Sequence, residues 1–371
     1  ASWHGCTLTD LVFPFFLFVM GAAMSYSFRK FDYAKSQSSG VIDGPVDNTK
    51  NKKSTLQSIP AGRCTAILNL EWNYKPTPDI TKKILKRVGL IFLIGLTLNF
   101  FPFQIELSNI RIMGVLQRIA ITYGFAAFFC LWLNRTQLFI VSGSILIFYW
   151  IGIAAFGNGS PFTLEGNLVR FIDLAIFGEN NMWHRGIIAF DPEGLLSTFP
   201  AVVSVLFGYL TGKFIQDQSN LKLAVYKITL AGLAAVIVGQ LWGTIFPINK
   251  YLWTSSFVLY TSGLAILIFS VCLYLIDVKG YRKWGVPFKI FGWNSLFVYV
   301  LSVFWIKILL YLIKIIKPDG SVINGYNWIF NDLFLPAAGE YNGSFLFALT
   351  HVFLFWLIAL ALYMNKIQVK I

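Results

Sequence analysis

The groups in this chain able to do chemistry are few, and they come in short clusters. His4 stands six residues before Asp10, at the edge of a long apolar run. An imidazole and a carboxylate this close can work as an acid-base pair, the acid orienting a histidine or serving as the base itself. Asp10 equally suits the cap of the helix that begins there, a purely structural role. Arg118, seven residues after Arg111, is set in an apolar stretch. A guanidinium at membrane depth needs a partner or a water-filled cavity. It therefore reads either as one half of an ion pair with Asp10 or Glu193, or as a clamp on an anionic ligand, which the planar fork of arginine suits. Asp191-Pro192-Glu193-Gly194 follows Trp183-His184-Arg185, and Asn249-Lys250 precedes Trp253. His184 fits a loop residue, His351 a histidine satisfied inside a bundle, and His4 alternatively an interfacial residue. Three separated histidines make no metal site, and Cys6, Cys64, Cys130 and Cys272 form neither a CxxC pair nor a disulfide framework. Lys307 and Lys314, seven apart, fit one helix face with both amines snorkelling outward. Asn294-Ser295 in an apolar helix fits interhelical hydrogen bonding.

The elements that must position these groups follow from composition. Of 371 residues 56% are hydrophobic and only 13% charged, against roughly a quarter charged in a soluble domain. A mean hydropathy of +0.65 excludes a water-soluble globule and makes lipid the solvent. Runs of the length a helix needs to cross a bilayer recur at 11–28, 88–103, 112–133, 138–156, 195–215, 225–246, 252–276, 290–316 and 345–363. None alternates as a barrel strand would. The expected fold is all-α: a polytopic transmembrane bundle of about nine helices forming a single domain over 1–371, with a polar cytoplasmic insertion at about 31–81. No internal repeat is visible.

The net charge of +13 would suggest nucleic acid in a soluble protein. Placed by side, however, 22 Lys and Arg fall on the face that holds the loop after the first segment and six on the other, with Arg118 and Lys307 inside segments. That bias makes the first face cytoplasmic and excludes nucleic acid as the partner. His4, Asp10, Asp191, Glu193, Asn249 and Lys250 then gather at the extracytoplasmic face, with Arg118 roughly 10 Å deep below Arg111.

The string Ala1-Ser2-Trp3-His4-Gly5, followed by Asp10-Leu11-Val12-Phe13-Pro14-Phe15-Phe16-Leu17-Phe18-Val19-Met20-Gly21, resembles the heparan-alpha-glucosaminide N-acetyltransferase family and its bacterial relatives. Further matches keep the same order: Gly114-Val115-Leu116-Gln117-Arg118 with Thr122-Tyr123, Phe190-Asp191-Pro192-Glu193-Gly194, Asn249-Lys250 with Leu252-Trp253 and Ser256, Asp277-Val278-Lys279-Gly280, and Asn294-Ser295 with Val298-Tyr299. The likeness covers about 1–30 and 82–371. It implies acetyl transfer across a membrane, from cytoplasmic acetyl-CoA to an amino sugar or glycan fragment outside. It also implies a catalytic histidine immediately before Ala1 and an upstream helix carrying an active-site Asn. The chain is therefore expected to be a fragment one helix short of ten, inactive as it stands unless His4 substitutes.

On this resemblance Asp10 and His4 are the expected catalytic residues, and Arg118, Asn249, Lys250 and Trp253 the acetyl-CoA residues. Asp191, Glu193 and Asn294 are expected on the acceptor side, with no metal. The setting is the lipid bilayer, a bacterial inner membrane, with a homodimer left open. The alternative is a carrier that moves a sugar or anion past Arg118 without covalent chemistry, and a blander one is an inactive relative.

Overall fold

The computed structural model describes residues 3–38, 78–157, 159–318 and 320–369. The helices that frame the bundle are α1 (Val12–Ser38), α2 (Pro78–Phe100), α3 (Val115–Trp132), α4 (Arg135–Phe156), α5 (Leu168–Phe177), α6 (Leu195–Gln216), α7 (Leu221–Trp242), α8 (Ser255–Leu273), α9 (Val286–Trp293), α10 (Ser295–Lys307) and α11 (Leu335–Met364). Two short antiparallel hairpins join them, β1 (His184–Arg185) with β2 (Ile188–Ala189), and β3 (Lys314–Ile316) with β4 (Val322–Asn324). The fold is an all-α polytopic bundle. Among the described residues eight helices are long and apolar enough to cross a membrane.

Each of the nine expected segments is helical over most of its length. The segment at 88–103 is the later part of α2, whose last 18 residues still include Lys83, Lys86 and Arg87; it falls outside the eight. The expected insertion lies mostly outside the described residues, and its two ends instead continue α1 and begin α2. The run at 290–316 is not one helix. The backbone breaks at Asn294 (φ −135, ψ 40), and Lys314–Ile316 form β3. Lys314 therefore does not share a helix face with Lys307. Nor does Lys307 snorkel: its Nζ donates to the carbonyls of Leu98 (2.5 Å) and Phe101 (3.0 Å), capping the negative end of α2.

Helix α6 is the axis of the bundle. Some 78% of its apolar window is buried inside the protein, against 17% for α7, whose side chains face outward as lipid-facing ones do. α6 reaches the centre by shedding side chains where α1 crosses it. A Cβ on Gly208 would overlap the Phe18 carbonyl, one on Gly21 the Val205 carbonyl, and one on Gly212 the Ser25 hydroxyl. Lipid is as apolar as leucine, so helices associate there through such close backbone packing. Hydroxyls along the spans donate their protons to their own helix, as in Thr122 to Arg118 O (2.7 Å) and Thr211 to Phe207 O (2.7 Å). The main core joins α1, α2, α3, α4, α6 and α8 below the end at which α1 begins.

Candidate functional site

The polar groups gather where α1, α3, α6 and α8 begin. The lead-in to α1 is held by its neighbour: Gly5 N donates to Ile248 O (2.8 Å), pairing Gly5 with Asn249. This places the His4 ring beside the Asn249 amide, with Nδ1 and Nδ2 3.4 Å apart. Burial lowers the His4 pKa from its ordinary value, so the ring is neutral at pH 7. Trp3 beside it stacks on Tyr251 (5.3 Å, 5°) and donates from its indole to Phe162 O (2.6 Å), and the Arg185 guanidinium lies 4.6 Å from the Tyr251 ring centre.

Asp10 belongs to a single 3₁₀ turn, Leu8–Leu11. Its carboxylate accepts from the Thr7 backbone N–H (2.9 Å) and hydroxyl (2.7 Å), and its other oxygen from Lys250 Nζ (3.2 Å). Asp10 is thus not the cap itself: Thr7 is, and Asp10 closes the turn back onto it three residues later, while its ion pair is with Lys250 rather than Arg118.

Asn249 builds the turn that carries Lys250 and Trp253. Its Oδ1 accepts from Leu252 N (3.0 Å), while its own backbone N–H donates to Thr254 Oγ1 (3.1 Å). The turn forces Trp253 to φ +51, a left-handed conformation that costs a bulky residue about 1–3 kcal/mol and is kept where the surroundings demand it. The result is an indole, 1% exposed, lying 5.0 Å from the Arg118 guanidinium with its Nε1 bonded to nothing.

Arg118 is 0% exposed. Its Nη2 donates to Gly194 O (3.3 Å) and to the Ser197 hydroxyl, while Nε and Nη1 have no partner. The expected ion pair with Asp10 or Glu193 is absent from its hydrogen bonds. The acids Asp191 and Glu193 belong to Arg111 instead. Its Nε and Nη2 grip Asp191 at 2.8 and 2.7 Å, and Nη2 also reaches Glu193 at 2.6 Å. Burial works against that guanidinium's charge, but the bonds to Asp191 and Glu193 outweigh it and raise the Arg111 pKa above its ordinary value.

One acid here carries no sequence signal beyond being the lone acid in the apolar decapeptide of α5. Asp173 is 0% exposed; Oδ1 accepts from Leu195 N (2.9 Å), and Oδ2 has no partner. Burial, with the nearby charge of Asp191, lifts its carboxyl to about 7 against the opposing pull of Leu195 N–H and Arg118.

The structure thus brings His4, Asp10, Asn249 and Lys250 together, sets Arg118 on Trp253, and gathers Asp191 and Glu193 on Arg111. It does not bring Asn294 to them. The Asn294 amide donates to Ile367 O (2.9 Å) and accepts from Val369 N (2.9 Å), tying down the tail after α11. His351 bonds within its own helix to Phe347 O (2.9 Å), and His184 is exposed in β1.

No family model matches this chain. The heparan-alpha-glucosaminide N-acetyltransferase of Mus musculus is 25% identical over 328 residues, 81% of this chain and 48% of that protein. The Homo sapiens protein of the same name is 27% identical over 358 residues, with the same two shares. The chain spans about half the length of these curated relatives. At that identity, over four-fifths of its own length, the chain is a distant relative of the heparan-alpha-glucosaminide N-acetyltransferases.

Proposed function

We propose that this bundle passes an acetyl group from cytoplasmic acetyl-CoA to the amine of an amino sugar or glycan fragment on the extracytoplasmic side of a membrane, a bacterial inner membrane. The observation that carries the reading is Arg118: a fully buried guanidinium with two nitrogens, Nε and Nη1, left without a partner, set in the end of the bundle that holds His4, Asp10 and Lys250. When the amine attacks the thioester, a C–N bond forms, the C–S bond breaks, the amine loses a proton and the departing thiolate gains one. The step calls for a neutral base and for donors aimed at the oxygen that becomes negative. Arg118 Nε and Nη1 are such donors, and a neutral imidazole at the lead-in to α1 is such a base, with His4 held against Asn249. Lys250 and Asp10 hold that lead-in against the turn carrying Trp253. Asp191 and Glu193, clamped by Arg111, shape the acceptor side. The 22-to-6 division of Lys and Arg supports placing this end outside the cytoplasm.

The test uses the complete natural protein in proteoliposomes, with labelled acetyl-CoA on the lysine-rich side and glucosamine on the other. Label on the sugar, formed much more slowly but still measurably in Arg118→Gln, is the expected result. Passage of unmodified sugar without acetylation would make the protein a carrier and refute the proposal.

A further inference from the structure

Arg118 owes its position to one peptide turn, and the other side of that turn is held by a residue that the proposed reaction does not use. Gly194 O accepts from Arg118 Nη2 (3.3 Å), Ser197 Oγ (3.1 Å) and Thr198 Oγ1 (2.8 Å). The next N–H, of Leu195, donates to Asp173 Oδ1 (2.9 Å). Gly194 has no room for a side chain because Asp173 Oδ2 occupies the space of its Cβ. The turn opening α6 is therefore gripped by a guanidinium on its carbonyl side and by a buried carboxyl on its amide side. Neither group is used up. Arg118 keeps two unpartnered nitrogens, Nε and Nη1, and Asp173 one free oxygen, all buried. A half-satisfied buried polar network is costly to keep, and it persists where it serves a site.

We propose that Asp173 is a positioning residue for Arg118, fixing through the Gly194–Leu195 turn where the free N–H groups of Arg118 Nε and Nη1 meet the oxygen of the acyl donor. This rests on the proposed acetyl transfer only for the identity of that oxygen. The working form of Asp173 is the neutral acid. The charged groups facing it are Asp191 from the loop before α6 and Arg118 from α3, with Glu193 acting on that same Arg118; Tyr149 faces it from α4, and Arg170 lies on its own helix. An ionised Asp173 would add a third negative charge to this group and weaken the field Arg118 offers to an incoming oxygen.

The experiment has two independent readouts on the complete protein. In the first, hydrogen exchange of the 194–198 amides is followed in detergent. Asp173→Ala should speed it by about tenfold or more, as loss of one buried hydrogen bond does, whereas Asp173→Asn, which keeps an acceptor for Leu195 N–H, should not. In the second, acetyl transfer is compared in Asp173→Ala, Asp173→Asn, Arg118→Gln and the double variants. Asp173→Ala should lower kcat by about tenfold or more in the Arg118 background and change little in the Arg118→Gln background, because an interaction acting through Arg118 cannot be lost twice. Asp173→Asn should keep the rate and abolish its fall as pH rises through about 7. Equal exchange in all three proteins, or kcat losses that simply multiply, overturns the proposal. Should even the unaltered protein transfer no acetyl group, the proposed function fails alone, and the exchange result still decides whether Asp173 positions the turn.

Discussion

Replacing Gly194 by Ala probes the tightest contact in the candidate site. Gly194 sits at φ −55, ψ 164, a conformation any residue adopts, so the substitution carries no backbone strain. Its cost is steric. The new Cβ would overlap Asp173 Oδ2 and stand 2.8 Å from Cγ and 3.1 Å from Oδ1. The carboxyl has no easy way aside, because Oδ1 is anchored to Leu195 N and the group is fully buried. Either the carboxyl leaves, losing a buried bond worth about 1–3 kcal/mol, or α6 shifts at an overpacking cost of about 1–3 kcal/mol. A loss of about 1–3 kcal/mol is expected by either route, read as the midpoint of SDS-driven unfolding in mixed micelles followed by helicity. Combining it with Asp173→Ala removes the obstacle, so the double variant should be no less stable than Asp173→Ala alone. A Gly194→Ala midpoint equal to that of the unaltered protein, or additive losses in the double variant, would refute this account of the turn.

The same steric reasoning separates other glycines by assay of stability. Gly208→Ala, whose Cβ would overlap the Phe18 carbonyl, should destabilise by at least about 2 kcal/mol, whereas Gly143→Ala, with nothing within 4 Å, should be neutral or gain up to about 1 kcal/mol of helix propensity. Asn294→Ala should release the tail, seen as faster proteolysis after Met364, while acetyl transfer is unaffected. Cys6, its thiol pushed up to about 11 by burial and by the Asp10 charge, should alkylate about a hundredfold more slowly at neutral pH than a thiol at the ordinary 9.0. Its rate should keep climbing with pH up to about 11.

The bundle is readable from sequence because a span announces itself through roughly twenty apolar residues, whatever it packs against. The depth of Arg118 follows from the same counting. Its partners do not, since they are a backbone carbonyl and one serine hydroxyl, groups found everywhere in the chain. The pairing of acids with cations stays open in the sequence for a related reason. Asp191, Glu193 and Asp10 all end near one face, and only the turns fixed by Pro192 and Asn249 decide that Arg111 takes the first two and Lys250 the third. Asp173 is invisible there because a short helix in a loop gives an acid no reason to be buried until α6 is packed over it. The β3–β4 hairpin escapes because most of 308–316 is apolar, and a short apolar run does not tell helix from strand.

Counting charge at the site sets its pH behaviour. Arg111 and Arg118 face Asp191, Glu193 and Asp173, and with Asp173 protonated the two cations and two carboxylates balance. Ionising Asp173 would break that balance; burial first, and then the charge of Asp191, lift its carboxyl to about 7 even though Leu195 N–H and Arg118 both favour the charged form. An anionic oxygen arriving at the free N–H groups of Arg118 adds the same charge by another route. The two events therefore oppose each other, and by linkage each must weaken the other. Below about pH 7 the free site is already neutral and binding meets no competitor; above it, binding must first return a proton to Asp173. Affinity for acetyl-CoA should thus weaken from about pH 6 to about pH 8.5 by up to about tenfold for each pH unit above the Asp173 titration. The ligand's own phosphates titrate in part of this range, so the telling quantity is the difference between the unaltered protein and Asp173→Asn, in which only the Asp173 contribution is gone. Identical pH dependence in the two would mean that Asp173 does not sense what Arg118 binds.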